Sequence, residues 1–218
     1  MKFLTEKKYL ANDMARLGCD DCSGCSACCS GMGNSIVLDP FDIYQLTKGS
    51  GKNFDELLTD ALELNIVDGV ILPNLRMAGK SEQCCFLNEQ GRCGIHAFRP
   101  GICRLFPLGR IYEDDGFYYF LQIKECKKTN RTKLKISKWL GISDLKKYEV
   151  FVCEWHRFLK EMEAEMAGLP EEEKRKQIGI ALLQIFYRSA YDPECDFYEQ
   201  FQERMNRVRG KKKTESEK

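Results

Sequence analysis

The sequence predicts an α+β fold: a small cysteine-rich domain with short strands and a hairpin, followed by a helical C-terminal region. Three observations carry this. Ten of the twelve cysteines fall between residues 19 and 126. Two strand-like runs, 105–112 and 117–124, flank Asp114-Asp115-Gly116, which is a hairpin signal. From residue 132 onward, apolar residues recur at helical spacing. The expected divisions are 1–130 for the cysteine domain, 131–209 for the helical region and 210–218 for a frayed, solvated tail.

In chain order, residues 3–17 read as a helix with Leu10, Met14 and Leu17 on one face and Gly18 as its stop. A cysteine loop follows at 19–29, and Gly31-Met32-Gly33 lets the backbone turn. Asp39-Pro40-Phe41-Asp42 has a cap, a proline in the first turn and an acid near the positive end of a short helix ending near Gly49. Asn53 with Glu56 forms a capping box that opens a second helix, with Phe54, Leu57, Leu58, Ala61 and Leu62 as its buried stripe. Residues 66–77, broken by Asp68-Gly69 and Pro73, read as short extended segments. A second cysteine region spans 84–103, then comes the hairpin, with Cys126 just beyond it. Lys135–Leu140 is a short helix and 143–167 a long one, with Phe151, Trp155, Phe158, Leu159, Met162 and Met166 along one face. Leu169-Pro170-Glu171 starts another, and Asp192-Pro193 caps a last helix carrying Tyr198, Phe201, Met205 and Val208.

The totals limit the function. The formal net charge of +1 in 218 residues gives no support to a nucleic-acid or anionic-membrane partner. The charged start, Met-Lys-Phe-Leu-Thr-Glu-Lys-Lys, lacks the apolar core of a secretory signal, and no run is long enough to span a bilayer. These features predict a cytoplasmic protein without nucleic acid or membrane. In that compartment thiols stay reduced, so dense cysteines read as metal ligands rather than as a disulfide knot. Nothing resembles a hydrolase constellation: there are two histidines and no serine elbow.

The first cysteine stretch is Cys19-Asp-Asp-Cys22-Ser-Gly-Cys25-Ser-Ala-Cys28-Cys29. Small residues between the thiols leave no apolar face, and a tight loop turning thiolates onto a metal is the physical use of such a pattern. Structural zinc favours two Cys-x2-Cys hooks separated by a loop. Three consecutive hooks lie closer to the run that grips an iron–sulfur cubane, with Cys29 in the fourth position, although the usual proline does not follow. The spacing favours an iron–sulfur cluster and leaves zinc open. Adjacent Cys28 and Cys29 cannot easily face one ion, so two centres, or one ligand and one spare thiol, are both compatible.

Cys22-x2-Cys25-x2-Cys28-Cys29, Cys84-x-Phe86-Leu87, Cys93-x-Ile95 and Arg99-Pro100-x2-Cys103-Arg104-x-Phe106-Pro107 together resemble the CxxCxxCC cysteine-cluster family of YkgJ-type zinc- or iron-chelating domains. The likeness spans roughly residues 19–126. It implies Cys22, Cys25, Cys28, Cys29, Cys84, Cys93 and Cys103 as metal ligands, with Cys126 as an eighth by position. Some relatives are named flagellin lysine N-methylase, so the resemblance also implies methyl transfer to a protein substrate, for which the sequence has no methyl-donor fingerprint. Redox chemistry, or an interaction module with a structural metal and a protein partner, are the other readings. Cys19 and Cys85 are additional to the family pattern, and His96 stands where an aromatic residue is common. His96 is either a ligand or a filler of that aromatic slot. Arg99 and Arg104 flank Cys103 and suit the charge of clustered thiolates, or ordinary loop hydrogen bonds. Cys153 reads as a small buried hydrophobe, and Cys195 as a structural residue in the first turn of the last helix.

Overall fold

The protein is described here by a computed structural model covering residues 7–19, 25–122, 125–128 and 130–216, with side chains through residue 210. Among these residues it is a mixed α+β fold of four separate two-stranded antiparallel sheets and a helical C-terminal half.

The chain opens in extended form. Tyr9 exchanges backbone hydrogen bonds with Tyr119 at 2.9 and 2.8 Å, and strand β1 (Met14–Gly18) pairs with β8 (Thr132–Lys135). The helix expected over 3–17 is therefore absent from residues 7–17; residues 1–6 lie outside the described part. Of its expected apolar face, Leu10 and Met14 are 65% and 52% exposed and Leu17 is buried, as is Ala15. The burial period is that of a strand, and the partner that stabilises it lies more than a hundred residues away, beyond the reach of local pattern.

Helix α1 (Pro40–Ser50) has the expected cap: Asp39 accepts from the Asp42 backbone, Asp42 accepts in return, and Pro40 occupies the first turn. Gly51, at φ 72°, closes it in the left-handed conformation. Helix α2 (Phe54–Asp60) has the predicted Asn53/Glu56 box. The predicted stripe overran the helix, because Leu62 begins β2 (Leu62–Val67), which turns through Asp68-Gly69 into β3 (Val70–Leu75). Two short strands, β4 (Met77–Ala78) and β5 (Gln83–Cys84), lead into the second cysteine region. Helix α3 (Gly101–Leu105) carries Cys103 and precedes the expected hairpin, β6 (Leu108–Glu113) and β7 (Gly116–Leu121).

Helices α4 (Ile136–Leu140), α5 (Leu145–Gly168) and α6 (Glu172–Leu183) follow, and α6 runs into a π-turn at Gln184–Arg188. The last helix, α7 (Phe197–Ser216), starts later than expected. Asp196 caps it, accepting from the Tyr198 and Glu199 backbone at 2.8 and 3.1 Å, whereas Asp192 turns back onto the Glu194 backbone. Cys195 therefore precedes the helix and is exposed. The helix also continues past residue 210, where a frayed tail was expected, through lysines and glutamate that favour helix.

One apolar core unites the two halves, drawing on Ile36–Ile95 and on α5, α6, the π-turn and α7. Its centre is aromatic: Phe151 meets Phe201 edge-on at 4.7 Å, Trp155 meets Phe186 at 5.1 Å, and Phe41 of α1 meets Phe197 at 5.0 Å. Tyr187 donates to the Leu38 carbonyl at 3.1 Å. A smaller core joins β1, the hairpin and α4 through Ala15, Leu17, Leu105, Leu108, Tyr119, Ile136 and Leu140. Cys84, Cys93 and Cys103 pack against the larger core.

Candidate metal centre

Four segments bring cysteines together, each held by its own backbone contacts. Cys28 and Cys29 sit on a 3-10 turn (Ala27–Cys29) closed by Cys29 N–H donating to Ser26 O at 2.9 Å. Beyond it, Ser30 bridges to Gln83, and Gly31 N–H donates to Glu82 O at 2.9 Å, pinning the loop against the strand that ends at Cys84. Gly31 adopts φ 68°, as the Gly31-Met32-Gly33 turn requires. Cys93 bridges back to Leu87 across a turn organised by Asn88, whose side chain accepts from the Gln90 and Arg92 backbones. Cys103 rides on α3. The first residue of that helix, Gly101, donates its N–H to the buried Asp42 carboxylate at 2.6 Å, linking it to α1. Arg104 donates to the Arg99 carbonyl at 3.0 Å and to the Ala97 carbonyl, fastening α3 to the 3-10 turn at His96–Phe98.

These segments enclose a cavity of about 100 Å³ lined by Cys25, Cys28, Cys29, Cys84, Cys93 and Cys103. It has room for several water-sized occupants. The thiols influence one another across it. Hydrogen bonding from the Cys29 thiol, assisted by the Arg99 charge, lowers Cys28 to about 6 against the effect of burial. Cys29 correspondingly holds its proton, because of that hydrogen bond and then of burial. Cys84 falls to about 7 through hydrogen bonding from Cys85. Burial pushes Cys93 and Cys103 up, and for Cys103 the Asp42 charge adds to it. The cavity therefore pairs thiols poised to ionise with thiols held protonated. Among the described residues, no three His, Cys, Asp or Glu side chains are already gathered closely enough to hold a metal ion.

The predicted ligands separate into groups. Six line the main cavity. Cys126 instead lines an adjoining cavity of about 20 Å³, together with Cys19, Cys25 and Cys28. Cys22 lies outside the described residues. Cys85 lines neither cavity; its sulfur is 3.5 Å from the Ala61 carbonyl, at the end of α2. His96 lines the main cavity, and Arg99 Nη1 lies 2.8 Å from its Nε2, so that nitrogen's lone pair faces a guanidinium donor. Cys153 is half-buried, on a groove rather than in the core.

The donor set fits a thiophilic metal. Thiolate sulfur is the soft donor that selects zinc, copper(I) and iron–sulfur centres. Arg99, on the cavity wall, has a buried Nε–H without a hydrogen-bond partner, as a cation facing developing thiolate charge would.

Residues 21–136 match the family of CxxCxxCC proteins, described as a putative zinc- or iron-chelating domain. The chain belongs to the CxxCxxCC family. The matched segment takes in every cavity cysteine except Cys19. No curated protein and no solved structure is significantly similar to the chain. No helix among the described residues is long and apolar enough to cross a membrane.

Sequence reasoning missed two contributors to this CxxCxxCC site. Trp139 of α4 lines both cavities, and its buried indole Nε1–H has no hydrogen-bond partner. No local pattern distinguishes it from a core tryptophan. Asp42, read only as a helix-start acid, is 3% exposed and anchors the cysteine-bearing α3. Its signal, an acid in the first turn, is shared by many surface helices.

Proposed function

We propose that the main cavity binds an iron–sulfur cluster through thiolates drawn from Cys25, Cys28, Cys29, Cys84, Cys93 and Cys103. The convergence of six thiols from four segments on one cavity carries this reading. Two further features support iron–sulfur over zinc: the triple Cys-x2-Cys spacing, and a cavity wider than one ion needs. When bound, the cluster would supply one-electron redox capacity and a cross-link between segments. Arg99, on the cavity wall, offsets thiolate charge, and Ile36, Leu75 and Ile95 give the cavity an apolar wall that limits water.

The test is elemental analysis with a visible spectrum on anaerobically purified protein. Iron and acid-labile sulfide with broad visible absorption are expected, both lost in Cys93→Ser. A colourless protein carrying stoichiometric zinc would overturn the choice of metal. A Cys93→Ser protein with unchanged metal content would overturn the ligand assignment.

A further inference from the structure

We infer that the outer face of the β1–β8 ladder is a docking surface for an acidic protein segment, which adds to the free edge of β8 as an extended strand. Residues 127–138 hold Lys127, Lys128, Arg131, Lys133, Lys135 and Lys138 and no acid. The chain as a whole carries only +1, so the total conceals this concentration.

The ladder sorts the charges. Ala15, Leu17 and Leu134 turn inward to the smaller core. Side chains alternate across a strand, so Met14, Arg16, Lys133 and Lys135 share the opposite face, and all four are exposed. Arg16 lies directly across from Lys133, and Met14 across from Lys135. None of the three cations has a hydrogen-bond or ion-pair partner among the described residues.

Like charges directly opposite one another destabilise a strand pair. The Arg16–Lys133 register therefore works against the fold it belongs to. Protection of an open edge does not account for it. A charge of either sign keeps an edge from pairing with a second copy, and an acid at position 133 would do so while also neutralising Arg16. An anionic partner does account for it, because it turns the repulsion between the two cations into a shared attraction.

The kind of partner follows from the backbone. Strand β8 has β1 on one side and no strand on the other among the described residues. A strand edge alternates N–H donors with C=O acceptors, which a peptide strand matches and a phosphate chain, able only to accept, does not. The face also carries no aromatic ring on which a nucleobase could stack. Lys133 and Lys135 stand two positions apart, the period of a strand. The segment that fits has acids at every second position facing these lysines, with apolar residues between them beside Leu134.

The test uses the full chain and a short labelled peptide alternating Glu and Val, with binding read by fluorescence anisotropy. Binding should weaken as salt rises, and fall on the order of tenfold when Gln replaces Glu in the peptide. Lys133→Glu should weaken it about as much, while urea unfolding shows a chain no less stable than the unaltered one, because the new carboxylate faces Arg16. Amide hydrogen exchange should slow in Thr132–Lys135 when the peptide binds. Lys176 is exposed on α6, and Lys176→Glu should leave binding unchanged. Unchanged binding in Lys133→Glu overturns the inference, as does an equal loss in Lys176→Glu, which would reduce the attraction to overall charge. Tighter binding of single-stranded RNA or of phosphatidylserine vesicles, lost in Lys133→Glu, overturns the choice of partner. Should Lys133→Glu fail to fold, Lys135→Gln decides the matter: it must weaken peptide binding, and no change refutes the docking surface.

Discussion

Asp42 offers the sharpest test of how α1 holds the cysteine-bearing α3. Its carboxylate is 3% exposed and accepts backbone N–H bonds from Gly101 at 2.6 Å and Asp39 at 3.1 Å. Burial raises its pKa from 3.8 to about 6, against the two backbone donors and the charges of Arg110 and Arg104; its neighbour Asp39 is raised too. An acid whose folded pKa lies above its unfolded value keeps more protons in the folded chain between those values, so its contribution to stability falls as pH rises through the window from about 4 to about 6. At about 1.4 kcal/mol per unit, the wild-type chain should lose roughly 2–4 kcal/mol across that window relative to a variant lacking the group. Asp42→Ala strands two buried donors, at roughly 1–3 kcal/mol each. Asp42→Asn keeps an acceptor for Gly101 and should cost less. Urea unfolding of the three proteins in the same metal state, at about pH 5 and about pH 7.5, checks this. The Ala variant should lie furthest below wild type at the lower pH, with the gap narrowing as pH rises. A gap independent of pH, or an Ala variant as stable as wild type at about pH 5, would refute the reasoning.

Other outcomes follow from the packing. Phe201→Ala, in the aromatic centre between Phe151 and Phe186, should cost about 3–5 kcal/mol by denaturant unfolding. Gly101→Ala places a methyl against the Tyr148 hydroxyl and should cost roughly 1–3 kcal/mol while weakening metal retention, read by dialysis against a chelator. Arg104→Ala removes the partners of the Arg99 and Ala97 carbonyls and should destabilise the chain by about 2 kcal/mol without changing the number of ions bound, as thermal melts and metal analysis would show.

Where a feature depends on a few adjacent residues, the sequence displayed it. The Asp39-Pro40 and Asn53/Glu56 caps and the hairpin about Asp114-Asp115-Gly116 are local hydrogen-bond chemistry, and all three stand as read. The N-terminal strand was hidden because its pairing partner is Thr132–Lys135; Leu10, Met14 and Leu17 mimic a helical stripe only while that partner is ignored. The start of α7 was misplaced because Asp192 and Asp196 are both credible caps, and only the three-dimensional arrangement of Tyr191, Phe197 and Arg204 chooses between them. At the site, spacing marked which residue type matters but could not distribute it. Cys84 and Cys85 are adjacent in sequence, yet only Cys84 reaches the cavity, because Cys85 turns toward the end of α2. Cys126 was grouped with its predecessors by position, and the fold sends it to the other side of Cys25 and Cys28.

The spread of the cavity's walls along the chain also sets a timetable for biosynthesis. Cys28 and Cys29 leave the ribosome about 75 residues ahead of Cys103, an interval of roughly 4–15 s at about 5–20 residues per second. During that time the nascent loop presents its thiols without the partners that complete the cavity. The β1–β8 pairing comes later still, after Lys135 has emerged. A site that draws on both segments is complete only once Cys103 has emerged, and until then the early thiols are open to oxidation.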